Sequence, residues 1–572
     1  MPVHNAEIAE ALTRLADLLE IEGANQFRVR AYRTAARTVQ DLPRSVESLV
    51  AAGEDLSTLP GIGADLAAKL REFVQTRHLG LLDEVQARLP EGLAALLTMP
   101  GLGPKRVALL YQELHIDCLD ALTRAAGDGR LQQLRGFGEK TAQKIVEEAR
   151  QRQAAPRRLK LSVAEPIAVP LRAYLAAAPG VEQVVVAGSF RRRCETVGDL
   201  DVLVTCARPH EVMDRLVAYD DVTRVLAKGD AKSTVLLRSG LQVDVRVVPR
   251  ESYGAASHYF TGSKMHNIAV RTLGVKRGLK INEYGVFRGA ARIAGATEEE
   301  VFAQVDLPYI EPELREDHGE VQAAAEGRLP RLITLADLRG DLHVHTKATD
   351  GKHSLQEMVF AARQRGYEYV AITDHTRRVF MAKGLDAERL AAQCDEIDRL
   401  NAEGPGVRVL KAAEVDILED GALDLPDSAL ARLDLRLCSV HYNTDLPRDR
   451  QTERVLRAMD NPLFNIFAHP TGRLIGERPP YEIDLERILL AARERGCFVE
   501  LDAHPDRLDL CDLHLRLAKE LGVKVAISTD AHKATDLELM RYGVDQARRG
   551  WLEPGDVLNT RSWAELAPLF RR

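Results

Sequence analysis

Gly188-Ser189-Phe190-Arg191-Arg192, then Asp199-Leu200-Asp201-Val202-Leu203-Val204, then Gln242-Val243-Asp244-Val245-Arg246-Val247 decide the reading of the middle of this chain. Residues i and i+2 of a strand point to one side, so Asp199 and Asp201 share a face. In the third run Val243, Val245 and Val247 alternate with Gln242, Asp244 and Arg246, which predicts a second strand carrying Asp244 on its polar face. Asp244 is then positioned to join the first two aspartates from a neighbouring strand. Three converging carboxylates repel one another unless cations lie between them, and an all-oxygen ligand set suits magnesium. Gly188 and Ser189 precede the set with a bare amide and a hydroxyl, and Arg192 adds positive charge, a combination suited to polyphosphate. A lone D-x-D pair is often a surface feature; the upstream turn and the third aspartate argue for a site.

Working outward, the C-terminal part repeats one pattern. About seven apolar runs each end in metal-ligand residues: Asp341-Leu342-His343-Val344-His345, Ile372-Thr373-Asp374-His375, Ala413-Glu414-Val415-Asp416, Ser439-Val440-His441, Phe467-Ala468-His469, Glu500-Leu501-Asp502-Ala503-His504 and Ser528-Thr529-Asp530-Ala531-His532. One histidine at a strand end is ordinarily a packed residue. Nearly every strand ending this way predicts a parallel barrel with metals at one mouth. A His/Asp/Glu set without cysteine suits manganese or zinc in an open hydrolytic site.

The first 150 residues read as almost entirely helical. Three glycine turns recur there: Leu59-Pro60-Gly61-Ile62-Gly63, Met99-Pro100-Gly101-Leu102-Gly103 and Leu134-Arg135-Gly136-Phe137-Gly138. Each precedes an amphipathic helix (Ala64–Val74, Pro104–Leu114, Glu139–Arg150). Bare amides at a helix N-terminus hold a phosphate, so the repeats predict a grip on nucleic-acid backbone rather than ordinary helix caps. Arg30, Arg33 and Arg37 fall on one helical face, a second candidate phosphate contact.

The chain has 572 residues, 45% of them hydrophobic, enough for roughly three or four domains. A net charge of −7 excludes a generally basic nucleic-acid binder, so DNA contact must come from local patches. Seven scattered cysteines with no C-x-x-C pair exclude a disulfide framework and a thiolate zinc site. No apolar run is long enough to span a bilayer, and Met1-Pro2-Val3-His4-Asn5 lacks the pattern of a secretory leader. The cytoplasm is the expected compartment, with no membrane partner. Gln151–Lys160 reads as a linker. Val181–Ala187, Leu200–Thr205, Thr234–Leu237 and Leu241–Val248 read as strands, and Glu313–Arg331 as a charged, alanine-rich connection.

At Gly188-Ser189, Asp199-Leu200-Asp201 and Asp244 the chain resembles the family X DNA polymerases, over residues 1–315. Tyr259-Phe260-Thr261-Gly262-Ser263 resembles that family's sugar-contacting segment, and Gly278–Gly285 its thumb. The resemblance implies that Asp199, Asp201 and Asp244 are catalytic and hold magnesium. It also implies that Gly188, Ser189, Arg192, Tyr259, Phe260, Gly262 and Asn267 bind the nucleotide, and that Arg271 meets the template strand. Backbone contact to DNA is then expected from Arg30, Arg33, Arg37, Gly61, Gly63, Gly101, Gly103, Gly136 and Gly138. Lys69 aligns with a lysine that forms a Schiff base with an abasic sugar, but Asp65 stands beside it where a lysine is expected; phosphate binding is the alternative role. Gln242 stands where a well-known member has arginine, and Lys264 where it has aspartate.

The C-terminal part resembles the polymerase-and-histidinol-phosphatase (PHP) domain, a distorted seven-stranded barrel with three metal ions. That resemblance implies His343, His345, Asp350, His375, Glu414, His441, His469, Asp530 and His532 as ligands of manganese or zinc, with the division among ions left open. Lys347, Arg378 and Lys383 are candidates for holding phosphate, and Asp502 and His504 for supporting the ligands.

The fold class expected is multidomain α+β and α/β: helix-hairpin-helix N-terminal domains, a nucleotidyltransferase palm with thumb, and a (β/α)7 barrel. The expected boundaries are 1–85 for a DNA-end-binding domain, 86–155 for fingers, 156–250 for the palm, 251–315 for the thumb, 316–335 for a linker and 336–572 for the barrel. The implied function is filling of short gaps in DNA during base excision repair, with 3′-5′ exonuclease activity from the barrel. Gapped or nicked DNA and deoxynucleoside triphosphates are the expected partners of a monomer. The alternative makes a PHP phosphoesterase or abasic endonuclease the main activity, with the N-terminal half as a DNA-end-binding module or scaffold.

Overall fold

The computed structural model describes residues 5–134, apart from 41, 43–45, 77, 91, 98–101, 119, 120, 123, 126, 127 and 129, together with residues 158–571. The chain divides between Arg157 and Arg158 into two compact units. Gly101, Gly136 and Gly138, the helix expected at Glu139–Arg150 and most of the expected linker lie outside the described residues.

The first unit is helical throughout its described residues: α1 Asn5–Ile21, α2 Gln26–Gln40, α3 Val46–Ala51, α4 Ala64–Thr76, α5 Gly80–Arg88, α6 Leu93–Leu97 and α7 Pro104–Leu114. Ile8, Leu12, Leu15 and Leu19 recur at helical spacing along α1 and are buried with Val29, Tyr32, Ala36 and Val39 of α2. Gly61 turns with φ +74° directly against α2, where a Cβ would stand 2.5 Å from Thr34 Cγ2. Thr38 Oγ1 donates to the Pro60 carbonyl at 2.7 Å and pins the turn there. Gly103 caps α7, with Pro104 at the first helical position.

The second unit begins with a small antiparallel pair, β1 Leu159–Lys160 and β3 Thr196–Val197. A five-stranded sheet follows: β2 Val181–Val186, β4 Asp199–Cys206, β5 Val222–Lys228, β6 Lys232–Leu237 and β7 Gln242–Val248, in the order β2-β4-β7-β6-β5. Only the central pair β4 and β7 is parallel. Val202, Val204, Val243 and Val245 pack on Leu171 and Leu175 of the helix Leu161–Ala176 and on Val212 and Leu216 of Pro209–Val217. The opposite face of the two central strands is left for Asp199, Asp201 and Asp244. β5 was absent from the expected strands because it is an edge strand with little burial, so it carries no apolar alternation to read.

A three-stranded antiparallel sheet comes next: β8 Lys280–Asn282, β9 Gly285–Arg288 and β10 Ala291–Ala294. It follows the helices Tyr253–Thr261 and Lys264–Lys276. Glu298 binds Arg191 Nη2 at 2.5 Å and the fully buried Arg315 Nη1 at 2.6 Å. Arg191 also donates to Ser257 and Thr261 hydroxyls. One buried carboxylate thus ties the turn after Gly188 to the helices downstream.

The segment 316–335, expected to be a linker, is folded. Its helix Glu320–Ala325 buries Ala323 and Ala324, and Leu332 and Ile333 join apolar cores. Its charges read as solvated because their partners are distant in sequence: Glu316 binds Arg192 and Arg549, and Glu320 binds His266.

The barrel strands are β11 Gly340–Val344, β12 Tyr369–Ile372, β13 Arg408–Asp416, β14 Leu435–Ser439, β15 Ile466–Phe467, β16 Phe498–Asp502 and β17 Val525–Ser528. All seven are parallel and sequential. The His345 amide donates to the Ala531 carbonyl at 2.9 Å and closes the ring between its first and last strands. The C-terminal segment covers the N-terminal strand ends: Leu558, Leu566 and Phe570 pack on Leu342, Leu437 and Ile466, and Asn559 Nδ2 donates to the Gly340 carbonyl. The strand ends that carry the expected metal ligands lie at the opposite mouth.

Ion pairs join the five-stranded module to the barrel. Arg193 bridges Glu165 and Asp545, Arg473 binds Glu195 at 2.5 Å, and Lys160 binds Asp506 at 2.6 Å. No helix among the described residues is long and apolar enough to cross a membrane.

Burial works against a charge on Glu298, but Arg315 and Arg191 outweigh it and hold the carboxyl down at about 2, against an ordinary 4.5. Stability from this pairing is therefore complete above about pH 4.5 and is lost as the pH falls towards 2. Glu298→Gln removes the charge that pairs with buried Arg315 and half-buried Arg191 and should cost about 3 kcal/mol. Thermal melts of the two proteins from pH 7 to pH 3 should converge as the acid is approached.

Candidate metal centres

In the first centre the parallel register sets Asp201 of β4 directly beside Asp244 of β7, with Asp199 paired to Gln242. Thr234 Oγ1 donates to Asp244 Oδ1 at 2.6 Å and Gln242 Nε2 donates to Oδ2 at 2.8 Å, which fixes that carboxylate from β6 and from its own strand. Lys232 Nζ lies 3.8 Å away. Burial, with Asp199 and Asp244 beside it, pushes Asp201 up to about 6. Burial and Asp244 also raise Asp199. The three carboxylates do not bring oxygens within 4.8 Å of one another as a set, the spacing expected of mutually repelling groups. Their chemistry fits magnesium, a hard cation that takes oxygen ligands.

Of the expected nucleotide-binding residues, Gly188 abuts this set and Arg192 links its turn to the segment Tyr259–Gly262. Gly188 has φ +63° and lies so close that a Cβ would stand 3.3 Å from Asp201 Oδ2, so the Gly188-Ser189 turn abuts the carboxylates. Arg192 reaches the Tyr259–Gly262 segment: its Nη1 donates to the Thr261 carbonyl at 2.5 Å and lies 3.2 Å from the Cβ position of Gly262. Its Nε is bound to Glu316 at 2.9 Å, so the guanidinium expected to face phosphate is held by protein partners instead. Tyr259 and Phe260 meet edge-on at 5.0 Å, and Arg246 lies over the Phe260 ring at 4.4 Å. Asn267 Nδ2 donates to the Tyr259 carbonyl at 2.7 Å, and Arg271 Nε donates to the Asn267 carbonyl at 3.2 Å.

In the second centre every barrel strand delivers its polar residues to one mouth. Ligand atoms gather in three clusters, each within 4.8 Å: His345, Asp350, His375 and His532; His343, His345 and Asp530; and His375, Glu414 and His441. His345 and His375 each serve two clusters. His469, outside these three, places Nε2 at 2.8 Å from Glu414 Oε1. The nine expected residues are thus brought together. His343 Nε2, both ring nitrogens of His345 and His375 Nδ1 are buried without a hydrogen-bond partner. Buried nitrogens left unsatisfied among carboxylates are what metal ligands look like, and the mixed N/O donor set fits manganese or zinc.

Charge density here is high. Burial disfavours a charged His343, yet Glu500, Asp530 and Glu414 drive it well above the ordinary imidazole range. His375 is raised to about 10, with Glu414 and Asp350 overcoming its burial, and His532 to about 9 through Asp350 and Asp530. Burial, with His532 and His375 beside it, pushes His345 down to about 4.

Sequence reasoning left two supporting carboxylates unassigned. Glu500 sits 2.8 Å from His343 Nδ1 and accepts from the His469 amide with its other oxygen at 2.8 Å. Asp416 lies 3.1 Å from His441 Nδ1. A carboxylate on the second ring nitrogen orients a ligating histidine and raises its basicity. The signal was the i+2 spacing of Asp416 from the expected ligand Glu414 and of Glu500 from Asp502, which puts each pair on one strand face. Asp502 is fully buried, accepts from the His504 amide at 2.7 Å and lies 3.4 Å from Arg507 Nε. Of the expected phosphate contacts, Lys347 and Lys383 are exposed, and Arg378 binds Glu419 at 2.7 Å.

Comparison with known proteins bears on both centres. The chain is 38% identical over 574 residues to the DNA polymerase/3′-5′ exonuclease PolX of Bacillus subtilis, covering 100% of each. The chain belongs to the PolX family. Residues 3–79 match a helix-hairpin-helix domain, 93–151 a SAM-like helix-hairpin-helix tandem, 256–316 the DNA polymerase beta thumb and 341–504 the PHP domain. DNA polymerase lambda of Rattus norvegicus is 26% identical over 348 residues, 55% of this chain and 56% of that one. A probable phosphatase of Thermoanaerobacter sp. is 31% identical over 231 residues, 38% of this chain and 89% of its own.

In the helical unit of this PolX chain, Arg30 and Arg37 are exposed, but Arg33 is not free for DNA. Its guanidinium is bound by Asp17 at 2.8 Å and Glu20 at 2.6 Å on α1. A shared helical face in sequence did not reveal that α1 packs alongside. Lys69 Nζ binds Asp65 at 2.6 Å; burial opposes its charge, but this bond wins and the pKa is raised. A Schiff-base amine needs the opposite shift.

Glu500→Gln removes the charge that orients His343 while keeping the side-chain shape. Metal affinity at the barrel mouth should fall about 10- to 100-fold. Elemental analysis after equilibration against a graded chelator series measures this directly, and unchanged retention would leave Glu500 without that role.

Proposed function

We propose that this chain is a DNA-directed DNA polymerase that fills short gaps during base excision repair, with a 3′-5′ exonuclease in its PHP domain. One observation supports the reading: a single PolX-family chain carries Asp199, Asp201 and Asp244 on adjacent strands beside a glycine-serine turn, and crowds His, Asp and Glu side chains at the barrel mouth. The trio supports polymerase activity as more than DNA-end binding, which disfavours a phosphoesterase with a passive N-terminal half.

In the polymerase centre, Asp199, Asp201 and Asp244 hold two magnesium ions. Magnesium bound there acidifies the primer 3′-hydroxyl and stabilises charge on the departing pyrophosphate. The Gly188-Ser189 turn receives the triphosphate next to Asp201, and Arg192 joins it by exchanging Glu316 for phosphate. Tyr259, Phe260, Gly262 and Asn267 hold the sugar and base, and Arg271 the template strand. In the barrel, the nine ligands hold three ions of manganese or zinc, with Glu500 and Asp416 orienting His343 and His441. Metal bound there supplies hydroxide near neutral pH and aligns the phosphodiester.

The helical unit grips DNA backbone through the turns at Gly61, Gly63 and Gly103, with their counterparts Gly101, Gly136 and Gly138. Arg30 and Arg37 add charge, and Lys69 binds phosphate rather than acting as a lyase. The parts are a DNA-end-binding domain at 1–85, fingers at 86–155, palm at 156–250, thumb at 251–315 and PHP domain at 336–572. Gapped or nicked DNA and deoxynucleoside triphosphates are the substrates, and the protein acts as a monomer.

Asp244→Ala should abolish extension of a labelled primer on gapped DNA with magnesium and leave degradation with manganese intact. His343→Ala should do the reverse. Extension by the first variant, or degradation by the second, would refute the corresponding centre.

A further inference from the structure

The loop Thr376–Gly384, between β12 and the helix Ala387–Glu403, carries Phe380 and Met381, which are 82% and 86% exposed. These are the most exposed large apolar side chains among the described residues. The loop is tightly built. The Leu385 amide donates to the His375 carbonyl at 2.7 Å across its neck, and a Cβ on Gly384 would stand 2.0 Å from the Thr376 oxygen. Arg389 clamps it from the side: Nη1 donates to the carbonyls of Lys383 and Gly384, and Nη2 to that of Ala348 at 2.7 Å. The tip is thereby anchored both to His375 and to the loop that carries Asp350, two residues of the ligand clusters.

Basic residues flank this apolar tip along the loop. Arg377 and Lys383 are exposed, and Arg378 lies over the Tyr442 ring at 5.3 Å while bound to Glu419. No acidic residue occurs between Thr376 and Leu385. A flat ring and a polarisable thioether, flanked in the loop by exposed Arg377 and Lys383, match one ligand chemistry: an unpaired nucleobase on an anionic strand.

We propose that Phe380 and Met381 form a stacking subsite for the terminal nucleobase of a single-stranded DNA 3′ end whose phosphodiester lies over the barrel's metal centre. The proposal rests on the exonuclease reading and adds how that centre recognises the end it shortens. Unstacked bases are available to such a platform, whereas bases inside a duplex are not, so the subsite favours frayed or unpaired ends.

A single-stranded oligonucleotide with 2-aminopurine at its 3′ terminus tests this with the full chain in chelator, without turnover. Wild type should quench the fluorophore by stacking, Phe380→Ala/Met381→Ala should not, and Phe380→Trp should restore quenching. With manganese, wild type should show a KM about tenfold lower for a base-bearing 3′ end than for an abasic one, and the double variant should show no difference. Unchanged primer extension by the double variant verifies its fold. Equal slowing on both ends, or quenching that survives in the double variant, overturns the proposal. Surviving quenching accompanied by loss of self-association in sedimentation would assign the tip to contact between copies. If wild type degrades neither strand, the exonuclease reading fails, and the quenching comparison alone decides the subsite.

Discussion

Repulsion between carboxylates set side by side on neighbouring strands is the constraint on which both centres depend. On β4 and β7 the register leaves Asp201 next to Asp244 with Asp199 beside them, and partial burial together with this crowding raises the pKa of Asp199 and Asp201. At the barrel mouth the same tension is spread over histidines that take up charge from Glu414, Glu500 and Asp530. A fold tolerates such arrangements only where the scaffold over-determines them. Here the strand ladders do so, because neighbouring backbone hydrogen bonds fix each side chain's direction.

Arginine–carboxylate pairs then decide how the parts of the second unit are held. Glu298 sits between Arg191 and Arg315, and Glu316 between Arg192 and Arg549. Both involve arginines that directly follow the Gly188-Ser189 turn. The residues next to the aspartate trio are thus braced by partners more than a hundred positions away, one of them on a barrel helix. Buried pairs of this kind contribute less net stability than their short distances suggest, since desolvation offsets attraction; their effect is to hold one arrangement.

Much of this was legible in the sequence because period-2 alternation and strand-end ligands are local patterns. Val243, Val245 and Val247 announced β7, and the repeated His/Asp/Glu endings announced the barrel. What stayed hidden depends on partners far along the chain. β5 has no buried face, so nothing in Val222–Lys228 alternates. The segment 316–335 looks solvated until Arg192, His266 and Arg549 are brought to its glutamates. Arg33 reads as one of three matching arginines until α1 supplies Asp17 and Glu20. Glu500 and Asp416 were visible as strand residues but earned a role only once His343 and His441 were seen to point their second nitrogens at them.

The five-stranded module and the barrel belong to one compact unit, cross-linked by Arg193, Arg473, Lys160 and Arg549. That has a bearing on traffic between synthesis and trimming. Two workplaces fastened to one bench do not approach each other, so a mispaired terminus has to peel from its template and travel, or let go and rebind. On the proposed reading of the two centres, passage of a terminus from one to the other turns on how readily the nucleic acid frays.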